Sequence, residues 1–140
     1  MEKNWYLQEY SGYDAVPFIV ELVKNVKSFS YPLENFAEWL AANINNPDVK
    51  IHLVIKDKDI VGFGVAELCY ELNIPIIAIQ VGYVPPEVQG GVDEWMAQLT
   101  EWAKKVGAKS LKMKVSKHIE GWGKKYGFEV ENYTLTREVK

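Results

Sequence analysis

The chain has 140 residues, enough for one domain with one buried core, and 48% of them are hydrophobic. Its net charge of −3 excludes the strongly basic field of a general nucleic-acid binder. No apolar run reaches the roughly 18 residues of a membrane span, and the first five residues lack the apolar core of a signal peptide. We therefore expect a cytoplasmic protein in which residues 1–140 form a single domain.

A short strand candidate, Trp5–Glu9, precedes two predicted helices. In the first helix Asp14 is the expected N-cap, and Pro17 lies in the first turn, where proline is tolerated. Pro32 begins the second helix, and the Asn-Asn-Pro-Asp run at 45–48 ends it. Each helix has an apolar stripe at helical spacing, formed by Val16, Ile19, Val20, Val23 and Val26 and then by Leu33, Phe36, Ala37, Leu40, Ala41 and Ile44.

Three strand candidates follow at residues 51–56, 60–70 and 74–84. Short polar turns separate them, which predicts an antiparallel meander. The third is apolar on both faces, as an interior strand covered from both sides should be. Cys69 has no cysteine partner, and we expect it to be a small buried hydrophobic residue.

From residue 92 onward, helical and strand-like patterns alternate. Gly107 is the expected C-cap of a helix whose apolar face is formed by Trp95, Met96, Leu99, Ala103 and Val106. The next apolar residues alternate with lysines, which predicts a half-buried strand, parallel to strand 74–84, through Leu111, Met113 and Val115. A short helix at 118–126 follows, and residues 128–130 with 133–139 supply the last one or two strands.

The segment at residues 81–93, Val-Gly-Tyr-Val-Pro-Pro-Glu-Val-Gln-Gly-Gly-Val-Asp, places two glycines where a strand passes into a helix. Together with the Gly127-Phe128 pair and the element order of the whole chain, it resembles the GNAT superfamily of N-acetyltransferases. The resemblance implies an α/β (α+β) fold in three layers, α/β/α, with a mixed, mostly antiparallel sheet of about six or seven strands and about four helices. It also implies acetyl-CoA as the cofactor and an amine as the acceptor.

In this family the cofactor pyrophosphate lies at the helix start, where backbone N–H groups lack internal partners and favour an anion. The cofactor-binding residues implied are Val81, Gly82, Val84, Gln89, Gly90, Gly91 and Val92. Four lysines in the basic stretch that follows are expected to reach this loop, unless they form a solvated face: Lys104, Lys105, Lys124 and Lys125.

The loop departs from the family pattern in two ways. It is one residue short between Gln89 and Gly91, and Asp93 stands where a small residue would face the pyrophosphate. Two charges 4 Å apart interact by about 4 kcal/mol at an effective dielectric constant of about 20, so a carboxylate pointing at the phosphates would weaken binding. A degenerate loop with weak cofactor binding is the expectation.

Two candidate catalytic side chains lie on the predicted meander. Glu67 is the candidate carboxylate base, with a solvated position on a strand as the alternative. Tyr83 either hydrogen-bonds the substrate or fills the core. Gln80 interrupts an apolar run and should find a buried partner or line a cleft.

The resemblance also implies roles for backbone groups and for an acid. Backbone N–H groups at 80–83 are expected to meet the oxygen of the tetrahedral intermediate, where Gly82 either eases a bulge or serves packing. The family's general acid is a tyrosine four residues before the glycine of the closing pair, which corresponds to Gly123. Neither Trp122 nor Tyr126 is expected on the helix face of residue 123.

Alternatives to an enzyme remain. His52 and His118 show no metal-ligand spacing, so no metal site is expected. The expected partners are an amine-bearing small molecule or protein and a second copy of the chain, with no nucleic acid and no membrane. The alternative functions are a GNAT-fold binding module that has lost efficient CoA binding and an unrelated α/β interaction protein.

Overall fold

The computed structural model describes residues 3–27, 29–114, 119–131 and 137–139, with the backbone alone for 119–122. A 3-10 turn, Tyr13–Ala15, precedes the first α-helix. The elements in chain order are β1 (Trp5–Glu9), α1 (Val16–Val23), α2 (Leu33–Asn43), β2 (Val49–Lys56), β3 (Asp59–Glu71), β4 (Ile74–Tyr83), α3 (Gly91–Val106), β5 (Leu111–Met113) and α4 (Ile119–Tyr126).

The described strands form one mixed sheet in the order β1-β2-β3-β4-β5. Strands β1 to β4 pair antiparallel, and β5 pairs parallel to β4 after the α3 crossover. The predicted meander and crossover are therefore confirmed, and β4 is an interior strand. The sheet has five strands within the described residues rather than six or seven. Residues 128–131 leave α4 without regular secondary structure, and most of the strand predicted at 133–139 lies outside the described residues.

Helices cover the sheet on both faces, which confirms three layers. On one face α1 and α2 bury Ile19, Val23 and Leu40 against β2, β3 and β4. On the other face α3 buries an apolar stripe, with Leu99 fully inaccessible, against β3 and β4. None of the described helices is long and apolar enough to cross a membrane.

The start of α1 differs from the prediction. Asp14 lies in the 3-10 turn, and its carboxylate accepts a hydrogen bond from the Tyr10 hydroxyl instead of capping the helix. Ala15 occupies the N-cap position, and Pro17 lies in the first turn as predicted. The Tyr10 hydroxyl competes with the backbone N–H groups of α1 for the Asp14 carboxylate, because an aspartate side chain can accept from any donor close to it in the chain.

Trp95 fixes how closely α3 approaches the sheet. Its indole lies over Gly64 and Gly82, which face each other on β3 and β4. A Cβ atom would be 2.3 Å from the indole at Gly64 and 2.7 Å at Gly82, so neither position accommodates a side chain. The two glycines thus set the height of α3 above β4.

Candidate active site

A bulge interrupts β4 at Gln80. Val65 pairs with Val81 and Ala66 with Ile79, so Gln80 is the extra residue on β4. A bulge bends its strand and redirects side chains. Gln80 is exposed rather than buried, and its Nε2 donates to Glu67 Oε1 at 3.3 Å. Its partner is thus the candidate base on the neighbouring strand.

Strand β4 extends beyond its described pairing with β5. Within the described residues β5 pairs with Ile77–Ile79, whereas β4 continues to Tyr83. Alternate backbone groups of a strand point towards opposite neighbours. The β5 side of residues 80–83 is therefore where backbone N–H groups could meet a ligand.

The connection from β4 to α3 depends on two glycines. Gly90 has a φ of 81°, in the left-handed region that glycine tolerates, and its carbonyl accepts the first helical bond from Glu94 at 3.0 Å. At Gly91 a Cβ atom would be 2.7 Å from Val84 Cγ1 and 2.9 Å from Val88 Cγ1. No described side chain caps this end of α3, and the Gly91 N–H donates to the Val88 carbonyl at 3.3 Å. The next two N–H groups, of Val92 and Asp93, precede the first helical bond and favour an anion.

A cavity of about 170 Å³ lies between this connection and the end of α4. Among its lining residues are the predicted cofactor residues Val84, Gly90, Gly91 and Val92. Cavities that hold a whole small-molecule ligand usually measure about 300–1,000 Å³. This one is smaller and could hold only part of such a ligand.

The other predicted cofactor residues lie elsewhere. Val81 is buried in the core beneath α1 and α2, and Gly82 lies beneath Trp95 on the α3 face. Gln89 is exposed on the loop and does not line the cavity.

Asp93 lines the cavity with its carboxylate turned towards α4. Its Oδ1 accepts a hydrogen bond from the Tyr126 hydroxyl at 2.6 Å and lies 3.3 Å from Lys125 Nζ. The Tyr126 hydrogen bond, followed by Lys125, holds the pKa of Asp93 below its ordinary value. Asp93 in turn raises the pKa of Lys125, and burial together with Asp93 raises the pKa of Tyr126. At neutral pH the carboxylate is therefore charged, paired and facing a protonated hydroxyl.

Tyr126 is the residue that sequence reasoning dismissed. Residues three apart are neighbours on a helix, so the prediction that Tyr126 and residue 123 lie on different faces was wrong. Helix α4 ends at Tyr126 and brings its side chain to the cavity. The three-residue spacing between Gly123 and Tyr126 was the feature of the sequence that could have placed Tyr126 at this site.

The expected lysine cluster divides between two distant sites. Lys125 lines the cavity and Lys124 does not. Lys104 and Lys105 lie in the last turn of α3, about 20 Å from its start at a rise of about 1.5 Å per residue. Their predicted proximity to the loop was wrong because a helix separates its two ends by its own length.

The two candidate catalytic residues are not adjacent. Tyr83 pairs with Phe63 and packs against the core beneath α1 and α2. Glu67 pairs with Ala78, four residues further along β3, which is about 13 Å at a rise of about 3.3 Å per residue. Cys69 is half-buried near Glu67, and burial raises the pKa of its thiol. In the described part of the chain no group of three His, Cys, Asp or Glu residues could hold a metal ion.

No protein-family model matches the sequence, and no curated protein matches it significantly. Its fold nevertheless matches solved acetyltransferases. A predicted acetyltransferase from Clostridium acetobutylicum, with acetyl-CoA, has a TM-score of 0.79 at 14% identity, covering 96% of both chains. An aminoglycoside N-acetyltransferase in complex with CoA has a TM-score of 0.77 at 12% identity, covering 100% of this chain and 97% of that one. A GNAT family acetyltransferase from Staphylococcus aureus has a TM-score of 0.70 at 12% identity, covering 97% and 99%.

These likenesses define a class of fold. The chain has the fold of the GNAT acetyltransferases, as the resemblance implied.

Proposed function

We propose that the protein is an acetyl-CoA-dependent N-acetyltransferase that acts on an amine of a small molecule or protein. The observation that carries this proposal is the cavity at the uncapped start of α3, where the β4 loop and the end of α4 meet. The fold is shared with structures that contain acetyl-CoA or CoA.

The residues around the cavity fit the phosphate portion of such a cofactor. First-turn N–H groups of α3 are free of side-chain caps, and Gly91 lets the loop approach the helix closely. Lys125 adds a cation at the same cavity. When bound, acetyl-CoA supplies an activated acetyl group.

The chain's own groups can then assist transfer. Backbone N–H groups at 80–83, beside the bulge, would stabilise the negative oxygen of the tetrahedral intermediate. Glu67, held by Gln80, would accept a proton from the attacking amine. Tyr126, which lines the cavity, would release its hydrogen bond to Asp93 and donate that proton to the departing thiolate. Tyr83 would orient the acceptor.

A second candidate function is a binding module on the same fold. Asp93 favours it, because this carboxylate lines the cavity where an anion would bind, and its side chain is 51% exposed. The enzyme binds CoA and turns over, whereas this module has lost efficient CoA binding and does not.

Calorimetric titration with CoA, combined with an acetyl-transfer assay on a panel of aliphatic amines and lysine peptides, separates them. We expect CoA binding and transfer by the unmodified protein. Glu67→Gln should lower kcat about 10²- to 10⁴-fold, the usual contribution of a general base, and leave CoA affinity unchanged. Glu71→Gln is the matched control, because Glu71 lies on the same strand and pairs with Lys112. Absence of transfer to any acceptor, with CoA binding weak or absent, would favour the binding module and refute the enzyme.

A further inference from the structure

Three segments of the chain meet at the cavity, and one of them is distant in sequence. The loop and the start of α3 are consecutive, but α4 contributes Lys125 and also Tyr126, which lies 33 residues beyond Asp93. Both side chains lie in the last turn of α4. Tyr126 packs against the core beneath α3, and a polar contact also joins that turn to the start of α3.

Asp93 makes this contact twice. One carboxylate oxygen accepts the Tyr126 hydroxyl at 2.6 Å and lies 3.3 Å from the Lys125 ammonium. The helix dipole favours an acidic residue in the first turn of a helix, so the Asp93 carboxylate stabilises α3 at this position. Its oxygen nevertheless faces α4 and does not cap its own helix.

The charges bear on what the cavity can bind. Asp93 and Lys125 carry opposite charges, so the pair is neutral and Lys125 opposes the repulsion of an anion by Asp93. An ammonium has three N–H donors, and the Asp93 oxygen can accept from only one of those of Lys125. The Lys125 side chain is 64% exposed, which leaves its remaining donors open to a ligand at the cavity mouth.

We propose that Asp93 is a positioning residue that clasps α4 to the start of α3 and presents the Lys125 ammonium to a cofactor phosphate. This inference rests on the proposed function. It reverses the expectation from sequence, in which Asp93 is a defect that repels the phosphates. The clasp consists of Asp93, Lys125 and Tyr126.

Removing the carboxylate distinguishes the clasp from repulsion. Under repulsion, Asp93→Ala and Asp93→Asn both tighten CoA binding. Under the clasp, Asp93→Ala weakens it about tenfold, because α4 and Lys125 lose their anchor. Asp93→Asn retains an oxygen that accepts from Tyr126, so it should recover most of that loss.

The measurement is calorimetric titration of the full chain with CoA and, as a phosphate-free probe, with pantetheine. Pantetheine affinity should not change in Asp93→Ala, because the clasp serves the phosphate. Glu94→Ala is the matched control. Glu94 is also acidic, lies in the same helical turn and forms a salt bridge with Lys3 at 2.9 Å, but it does not line the cavity. Its CoA affinity should stay within about twofold of the unmodified protein.

Tyr126→Phe provides an independent test of the clasp if Asp93→Ala does not fold. It removes one hydroxyl and no charge, and it should weaken CoA binding and increase amide hydrogen exchange at residues 123–127. Tighter CoA binding in Asp93→Ala, or an equal loss in Glu94→Ala, would overturn the clasp while leaving the proposed function intact. Unchanged CoA affinity in Tyr126→Phe, with unchanged hydrogen exchange at residues 123–127, would also overturn it. Absence of CoA binding in the unmodified protein and all variants would overturn both proposals.

Discussion

At the residue scale, the imidazole of His52 is buried with few groups nearby that could form hydrogen bonds with it. It is 1% exposed on β2 beneath α3, with Glu9 opposite on β1 and Gly64 opposite on β3. Within the described residues neither of its ring nitrogens has a hydrogen-bond partner, and the same holds for Trp95 Nε1, which lies over Gly64. Gln98 approaches the ring and favours its protonation without completing a hydrogen bond.

Burial lowers the pKa of His52 below 6.5, and Glu9 opposes this shift in part while Lys50 reinforces it. The folded state therefore binds fewer protons than the unfolded state once the pH falls below 6.5. Stability is retained above that pH and lost as the pH falls through the unfolded value towards the folded one. The loss between pH 6.5 and 5.5 is at most about 1.4 kcal/mol, the value of one pH unit.

We expect His52→Leu to remove this part of the pH dependence. Leucine binds no proton and leaves no buried polar nitrogen unbonded, so its unfolding free energy should fall less between pH 7.5 and 5.5 than that of the unmodified protein. Urea denaturation at both pH values measures the difference. His118 is present in both proteins and cancels in the comparison. Equal falls in the two proteins would show that His52 is not responsible.

At the element scale, β1 braces the cofactor loop. Trp5 packs with Val54 and Val88, and a Cβ atom at Gly90 would lie 3.9 Å from its ring. Lys3 lies 4.4 Å from the centre of the Trp5 ring. The beginning of the chain therefore supports the loop through Trp5, whereas the exposed Lys3–Glu94 ion pair adds little to the stability of the start of α3.

Trp5→Leu and Trp102→Leu form a matched pair, because both tryptophans are 8% exposed and both pack on the α3 face of the sheet. Each should lower the unfolding free energy by about 1–3 kcal/mol. Trp5→Leu alone should also increase hydrogen exchange at residues 85–91 and weaken CoA binding. Trp5 packs in one cluster with Val88 of the loop, and Trp102 is not part of that cluster. If both variants affected exchange in the loop equally, the bracing would be a general effect of stability.

At the scale of the whole molecule, one sheet divides two apolar cores, and the cavity lies at the end of the strand that connects them. Val81 of β4 belongs to the core beneath α1 and α2, and Ile79 belongs to the core beneath α3. A ligand bound at the β4–α3 connection therefore lies at the end of a strand that belongs to both cores.

We expect CoA to stabilise the folded chain as a whole. A ligand at about 100 times its Kd that binds only the folded state adds about 2.7 kcal/mol, which raises Tm by roughly 5–10 °C in a chain of this size. Thermal unfolding with and without CoA measures the shift. Pantetheine at the same concentration should give a smaller shift, because it lacks the phosphates. An equal shift with pantetheine would contradict phosphate recognition at the start of α3.

Local patterns sufficed for most of the fold. Periodicity placed the meander and the β4–α3–β5 crossover, and Gly107 ends α3 in the left-handed conformation that a glycine C-cap predicts. The two glycines at the start of α3 were also visible in the sequence, and they line the cavity. These features depend on residues within a few positions of one another, so the sequence alone determined them.

Only the tertiary structure decided how the site is assembled. The clasp joins residues 33 positions apart, and Trp5 reaches a loop more than 80 residues away in the chain. The bulge at Gln80 results from the register of two strands. Whether Asp93 repels an anion or positions a lysine depends on which groups the docking of α4 brings within hydrogen-bond distance. That docking combines the Asp93 contacts with the packing of Tyr126 and Phe128 against the core beneath α3, and no local pattern encodes either.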